Sequence, residues 1–188
     1  MIPSGNSDEK DETAGGEPGA ERKAAPPGEG DAAKKEVDPR MHSAEHILTA
    51  TLIAMFGCGR PFTTHLEKRK SKADYRFARE LAPGEVNEIE RRVNEVVAAD
   101  LPVREEFLPR AQAEQLYDLQ RVPGEAGETI RIVRIGEYDA CACSGRHVGS
   151  TKAIGCFRLV SASFEQGALR VRFKLPTPRA STAPASAG

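Results

Sequence analysis

The segment Thr129–Ile135 reads TIRIVRI, and the fold can be worked out from this stretch. Its branched apolar side chains, Ile130, Ile132, Val133 and Ile135, alternate with polar ones closely enough to predict a buried strand. A strand belongs to a sheet, so the patterned segments on either side of it decide the fold class.

Two hairpins and a further strand are predicted around it. Residues 62–66 and 73–78 predict one hairpin, with a charged loop between the strands. Residues 154–164 predict a strand that pairs with 168–175 across a Gln-Gly turn. Residues 103–108 predict one more strand.

Helical periodicity occurs in two segments. Residues 42–56, HSAEHILTATLIAMF, place apolar side chains near helical spacing and end at Gly57. Residues 85–99 form the clearest amphipathic helix, and residues 110–119 are compatible with a short one. Helices and hairpins in this order predict an α+β fold, a largely antiparallel sheet with helices packed on it.

The two ends of the chain differ in composition from its middle. Residues 1–40 hold six Gly and five Pro but no aromatic residue, and ten acidic against six basic side chains. Such a segment buries too little apolar surface to offset the entropy lost on ordering. We therefore expect disordered tails over 1–40 and over the Pro/Ala/Ser/Thr-rich 176–188, with a single compact domain over 41–175.

Composition excludes several classes of protein. No run of the 188 residues approaches the roughly 20 apolar residues of a membrane span. The N-terminus lacks the apolar stretch of a secretory signal, and four cysteines do not make a disulfide scaffold. We expect a cytoplasmic protein with free thiols and with neither a membrane nor a DNA partner; the sequence does not indicate an oligomeric state.

Three of the four histidines lie in patterns typical of metal ligands. His42 and His46 are four residues apart on a predicted helix, so their rings share one face. His147 follows Cys143 by four residues on a Gly-containing turn. Three imidazoles and a thiolate favour zinc among the common ions. The alternative is that the histidines lie on the exposed side of the helix and the cysteines only pack.

Cys141 competes with Cys143 for the role of ligand, because residues two apart in a strand face the same way. The four-residue spacing to His147 favours Cys143, which leaves Cys141 as a supporting or core thiol. Cys58 and Cys156 are interpreted as packing residues, Cys156 in a buried strand.

Glu45 lies between the two helical histidines and completes the pattern H-x-x-E-H of inverted zinc peptidases, in which the Glu activates a metal-bound water. Those enzymes take a distant acidic residue as third ligand, whereas here Cys143 and His147 supply the missing ligands. A small zinc peptidase is therefore the weaker alternative. Glu45 is either a proton acceptor near the metal or an exposed helix residue.

A run of cations occupies the tip of the first predicted hairpin, in the string EKRKSK over residues 67–72. Its four basic side chains favour contact with phosphate groups, although a solvated hairpin tip explains them equally well. We treat the four as candidate phosphate-contacting residues: Lys68, Arg69, Lys70 and Lys72.

These motifs together resemble a known family. The string His42-Ser-Ala-Glu-His46-Ile-Leu is followed a hundred residues later by CSGRHVGSTKAIG over 143–155. This order is similar to H-x-x-x-H and C-x-G-x-H-V-x-x-T-x-x-I-G in the second additional domain of alanyl- and threonyl-tRNA synthetases. The freestanding alanyl-tRNA editing proteins of that family are the form it resembles most.

The resemblance implies a zinc site formed by His42, His46, Cys143 and His147. It also implies that the chain acts in trans on mischarged tRNA, hydrolysing the ester that joins a wrong amino acid, Ser or Gly, to tRNA(Ala). Arg146 stands where the family has Thr, and Glu45 where small or neutral residues are common. A non-catalytic module that binds zinc and aminoacyl-tRNA is therefore the alternative function.

Further polar residues are candidates for the substrate pocket. Thr64 and His65 lie on the strand that enters the basic hairpin, where alternation prevents both from facing the same side. We expect Glu45 and His65 to act in catalysis. The expected substrate-binding residues are Thr64, Asp74 and Arg146, and the four cations of the first hairpin are the expected tRNA-binding residues.

Overall fold

The computed structural model describes residues 37–120, 122 and 127–176. The predicted tails lie outside the described residues, apart from residues 37–40 and 176. No helix in these described ranges is both long enough and apolar enough to cross a membrane.

Three α-helices form, close to where periodicity predicts them. They are α1 (Pro39–Phe56), α2 (Pro83–Ala98) and α3 (Arg110–Leu116). The first begins three residues earlier than predicted because Pro39 supplies a helical φ at its first position, and the Asp38 side chain accepts a hydrogen bond from the Arg40 N–H. It ends at Gly57, whose φ of 65° suits glycine.

Seven strands make two antiparallel sheets. The strands are β1 (Thr63–His65), β2 (Ser71–Arg76), β3 (Val103–Pro109), β4 (Thr129–Ile135), β5 (Asp139–Ala142), β6 (Arg158–Glu165) and β7 (Ala168–Lys174). One sheet has the order β1-β2-β7-β6 and the other the order β3-β4-β5. The predicted α+β class and the antiparallel pairing are confirmed, with the strands divided between two sheets.

Two elements differ from the sequence prediction. Strand β5 was not predicted, because four residues give too short a pattern. The predicted strand over 154–164 begins only at Arg158, because a 3-10 turn forms over Thr151–Ile154. The buried Thr151 hydroxyl fixes that turn by donating to the Val96 carbonyl and accepting from the Leu101 N–H, both at 2.9 Å.

The main core lies between α1, α2 and the inner face of the four-stranded sheet. Helix α1 is buried on nearly all sides over its first fourteen residues, so its polar side chains there also face protein. A smaller core, with Ile130 and Ile132 of β4, lies under α3. Helix α1 therefore presents the half-buried His42 and the buried His46 toward β5 and the turn that follows it.

Candidate metal centre

The candidate ligands come from two parts of the fold. Helix α1 places His42 and His46 one turn apart, and the chain leaving β5 carries Cys143 and His147. The Cys143 N–H donates to the Arg131 carbonyl at 3.1 Å, which extends the pairing of β5 with β4 as far as the first of these ligands.

The four side chains converge on one point. Cys143 Sγ lies 3.4 Å from His42 Nε2 and 3.4 Å from His147 Nε2. One ligand atom from each of the four, His46 included, lies within 4.8 Å of all the others. Ligands at zinc's usual bond lengths, about 2.0–2.3 Å, stand roughly 3.3–3.7 Å apart at the corners of a tetrahedron. The measured Cys–His separations match that spacing.

The outer nitrogens of two of the imidazoles have partners that orient the rings. His147 Nδ1 lies 3.1 Å from the Ser43 hydroxyl, and His46 Nδ1 lies 3.2 Å from Asp139 Oδ2. The second contact is a close ion pair rather than an aligned hydrogen bond. The Ser43 contact at Nδ1 leaves Nε2 of His147 facing the group, 3.4 Å from Cys143 Sγ.

His42 is positioned by packing instead. Its Nδ1 atom is buried and has no hydrogen-bond partner among the described residues. A Cβ atom on Gly145 would overlap the His42 ring, so the turn lies directly against it. The nitrogen of His42 that faces the group is Nε2, 3.4 Å from Cys143 Sγ.

Arg131 holds in place the turn that carries Cys143 and His147. Its Nη1 donates to the Cys143 carbonyl at 2.5 Å and to the Gly145 carbonyl at 2.9 Å. Its other nitrogens form a fork with the Glu105 carboxylate, at 2.9 and 2.6 Å. One guanidinium from β4 therefore joins the turn to β3.

Electrostatics favours the thiolate. Burial raises the pKa of Cys143, but hydrogen bonds from His147 and His42 outweigh it and lower the pKa to about 3. Burial lowers the pKa of His147, which favours its neutral form. Burial also opposes the charged form of His46, yet its contacts with Asp139 and two thiols raise its pKa well above the usual value. Cys143 and His147 are therefore in the forms that bind metal, a thiolate and a neutral imidazole, whereas His46 would release a proton when it binds an ion.

Cys141 belongs to a second, overlapping group. Its Sγ lies 3.4 Å from His46 Nδ1, on the side of that ring where Asp139 lies, and these three residues also form a cluster with metal-ligand chemistry. Arg60 completes the surroundings, with Nη2 2.5 Å from Asp139 Oδ1. Burial raises the pKa of Asp139, but His46 and Arg60 outweigh it, so the carboxyl stays ionised.

A cavity of about 470 Å³ opens beside the His42, His46 and Cys143 side chains. Glu45 and Thr64 line it, and residues 129–131 of β4 form another part of its wall. Its volume lies in the range of small-molecule sites.

Glu45 is buried, with 7% of its surface exposed, which contradicts the alternative of an exposed helix residue. Its Oε1 accepts a hydrogen bond from the Thr49 hydroxyl at 2.8 Å, and that hydroxyl lies 2.9 Å from the Tyr75 hydroxyl. Glu45 is buried because α1 is covered on nearly all sides. This packing places the Glu45 carboxylate at the wall of the cavity.

The other predicted site residues lie elsewhere. His65 is exposed on β1 and pairs with Glu67 at 2.9 Å, facing away from Thr64. Asp74 is buried and forms a two-pronged ion pair with Arg170, both contacts at 2.8 Å. Neither lines the cavity. The remaining predicted residues are exposed or half-buried on the turn and hairpin: Arg146, Lys68, Arg69, Lys70 and Lys72.

Three residues of the site were not found in the sequence: Arg60, Arg131 and Asp139. In the sequence Arg60 is only a further cation upstream of the basic hairpin and Arg131 a polar position of the predicted strand. Tertiary pairing brings Arg60 to Asp139 and Arg131 to the turn. Asp139 lies two residues before Cys141, so in a strand the two side chains face the same way. The alternation that placed Cys141 near the metal could therefore also have identified Asp139. Cys156 is exposed and outside any strand, because Gly155 ends the 3-10 turn just before it, so its assignment to a buried strand was wrong.

Comparison with known proteins identifies the family. Residues 130–171 match the model of the threonyl and alanyl tRNA synthetase second additional domain. The chain is also 34% identical over 163 residues to the alanine–tRNA ligase of Caldivirga maquilingensis, a match that covers 78% of this chain. The chain belongs to this second additional domain family.

Other alanine–tRNA ligases agree. That of Methanopyrus kandleri is 32% identical over 142 residues and that of Bacillus subtilis 30% over 129, covering 71% and 65% of this chain. The chain spans less than a fifth of these relatives' length, 18%, 15% and 14% respectively. The family expected from the sequence is confirmed, and the freestanding form stays a prediction. The family match includes Cys143 and His147 of the candidate metal centre.

Proposed function

We propose that this second additional domain hydrolyses the ester bond between a mischarged amino acid, Ser or Gly, and tRNA(Ala). One observation carries the proposal. In a chain similar to alanine–tRNA ligases, a Cys/His group with metal-ligand spacing opens onto a cavity large enough for an aminoacyl group.

The donor set fits zinc, because one thiolate and three imidazoles are the ligands of tetrahedral zinc sites. The residues that would hold the ion are His42, His46, Cys143 and His147. A bound zinc ion supplies positive charge that can polarise a carbonyl or position the amino group of the substrate.

Glu45 is the proton acceptor in this proposal. Hydrolysis of an aminoacyl ester needs a base that takes a proton from the attacking water. Glu45 is a cavity-lining carboxylate held in place by Thr49, and the nearby guanidinium of Arg60 is tied to Asp139. A fixed carboxylate on the cavity wall therefore has the chemistry and the position for the role.

Thr64 positions the substrate. Its side chain lies on the inner side of β1 and at the cavity wall, where a hydroxyl can bind the polar side chain or the ribose. We assign no step to His65 or Asp74, because both lie away from the cavity and both are paired with other side chains.

The test is a deacylation assay on the 188-residue chain alone. Purified protein is incubated with Ser-, Gly- and Ala-tRNA(Ala) and with Thr-tRNA, with and without a chelator. We expect Ser- or Gly-tRNA(Ala) to be hydrolysed, and the activity to disappear with chelator and in Cys143→Ala. Cys156→Ala, which removes an exposed thiol outside the site, is the matched control and should keep the activity.

A non-catalytic binding module is the second candidate, because four protein ligands fill a tetrahedral zinc ion and leave no open position. Retention of zinc and binding of aminoacyl-tRNA with no turnover of any substrate would select it over the hydrolase.

A further inference from the structure

The outward face of the four-stranded sheet carries a dense set of cations. Strand alternation sends every second side chain of β2, β6 and β7 away from the helices, and the register places these positions side by side. The outward set, which we term the basic face, consists of Lys72, Arg76, Arg158, Arg170, Arg172 and Lys174.

The inner positions of the same strands have the opposite character. Ala73 and Tyr75 of β2 and Leu169, Val171 and Phe173 of β7 are buried in the main core. The outward positions of these described strands hold only two carboxylates, at Asp74 and Glu165. The sheet therefore has one apolar face and one strongly positive face.

Like charges stand directly opposite each other on this face. Lys72 pairs in register with Arg172, and Lys174 pairs with Arg158. Opposed like charges at the roughly 5 Å separation of cross-strand neighbours destabilise a sheet. The Asp74 carboxylate, whose pKa Arg170, Lys72 and Arg172 lower, offsets part of this repulsion, and an anionic partner would offset the rest.

Few of these cations are neutralised within the protein. Arg170 is paired with Asp74, and Arg158, on the edge strand β6, reaches back around the edge to Glu90 of α2 at 2.6 Å. Across the described residues, no carboxylate lies within ion-pair distance of Lys72, Arg172 or Lys174. On the three-stranded sheet, by contrast, Arg134 faces another arginine but forms an ion pair with a neighbouring glutamate at 2.8 Å.

The basic face is continuous with the cationic hairpin loop and borders the cavity. Residues 67–70, between β1 and β2, lie at the end of the sheet where Ser71 pairs with Phe173, next to Lys174. Strand β1 forms one edge of the sheet. Its Thr64 side chain faces the cavity, and its neighbours Thr63 and His65 face outward. A polyanion lying on the face can therefore reach the cavity around a single edge strand.

We propose that the basic face, together with the loop over 67–70, binds the phosphate backbone of the tRNA whose ester end enters the cavity. The inference rests on the proposed function for the identity of the RNA. Lysine and arginine rows bind RNA phosphates without reading sequence, and they release counterions in doing so. Binding is therefore expected to fall steeply with salt.

The test measures the affinity of the full chain for deacylated tRNA(Ala) between about 50 and 300 mM salt, because the release of counterions makes affinity depend on salt over this range. The test variant is the triple neutralisation Lys72→Gln, Arg172→Gln, Lys174→Gln. Its matched control removes three cations elsewhere on the surface: Arg92→Gln, Arg104→Gln, Lys152→Gln. Zinc content and thermal melting are recorded for both, so that a folding defect is seen directly.

We expect the test variant to bind at least about tenfold more weakly at ~100 mM salt and to lower the magnitude of the salt slope by about two to three. The control should keep both values within about twofold. Unchanged affinity in the test variant, or an equal loss in the control, would overturn the proposal. Binding to vesicles of anionic lipid without binding to tRNA would also overturn it.

A single substitution separates binding from folding. Lys72→Glu replaces repulsion with attraction toward Arg172, so its melting temperature should equal or exceed that of the wild type while tRNA binding weakens. A lower melting temperature with unchanged binding would contradict the proposal. Because deacylated tRNA is the probe, loss of hydrolysis alone would overturn the proposed function and leave the basic face standing.

Discussion

Gly145 and His42 are in such close contact that a Cβ atom on the glycine would overlap the imidazole ring. The turn that carries Cys143 and His147 is therefore fitted directly onto the first turn of α1. The two halves of the metal centre can meet because residue 145 is a glycine and has no side chain.

Gly145→Ala tests this contact. We expect the alanine to push the turn away from α1, weaken zinc binding at least about tenfold and lower the melting temperature. Zinc affinity is measured by competition with a chromogenic chelator. Gly149→Ala is the control, since a Cβ there meets no atom within 4 Å. Equal zinc affinity in the two variants would show that the contact does not matter.

Arg131→Lys tests how the turn is held. A lysine cannot form the fork with Glu105 and also donate to two carbonyls, so we expect a loss of about 1–3 kcal/mol in the free energy of unfolding, and weaker zinc binding. Denaturant unfolding gives the stability. Arg134→Lys, on the same strand, weakens more exposed contacts with Glu106 and the Tyr117 hydroxyl and should lose less stability than Arg131→Lys. A smaller loss at Arg131 than at Arg134 would contradict this account of the turn.

Asp74 gives a pH-dependent prediction. The Arg170 guanidinium lowers the pKa of this carboxyl below its usual value, so the pair stabilises the fold above about pH 4 and the contribution is lost as the pH falls through the folded-state pKa. Asp74→Asn should lower stability by about 1 kcal/mol at neutral pH, since Arg170 is partly exposed, and by much less near pH 3.

Thermal melting of the wild type, Asp74→Asn and the exposed Glu80→Gln at both pH values checks this. A difference between wild type and Asp74→Asn that is as large near pH 3 as at neutral pH would show that the ion pair is not its source.

Glu45→Gln tests the proton acceptor. The amide keeps an oxygen that can accept from Thr49 but cannot take a proton, so kcat for Ser-tRNA(Ala) should fall by about 10²–10⁴ with zinc content unchanged. The control is Glu137→Gln, an exposed carboxylate in the turn before β5. Full activity in Glu45→Gln would remove this residue from the mechanism and would leave the metal centre untouched.

The sequence predicted the parts of the site that depend on local spacing. His42 and His46 share a helix face because they are four residues apart, and Cys143 and His147 share a turn for a similar reason. Strand β4 was found because seven residues are enough for alternation to show. The meeting of the two halves followed from family resemblance, since spacing alone does not bring together segments a hundred residues apart.

What could not be predicted depends on tertiary surroundings. The sequence left Glu45 open between a proton acceptor near the metal and an exposed helix residue, and it is buried because α1 is covered on nearly all sides. The ion pairs of Arg60 and Arg131 join residues far apart in sequence, and no local pattern marks them. The basic face was visible only as the hairpin cluster, because Arg172 and Lys174 join it through strand register, 100 residues further along the chain.

The central claim is that one metal ion is held by His42, His46, Cys143 and His147. X-ray absorption at the zinc edge, on protein with its metal content measured, tests it most directly. We predict one zinc per chain with three nitrogen ligands near 2.0–2.1 Å and one sulfur near 2.3 Å, roughly the usual bond lengths. A shell with two sulfurs, which would bring in Cys141, or protein that binds no zinc when fully reduced, would contradict the claim.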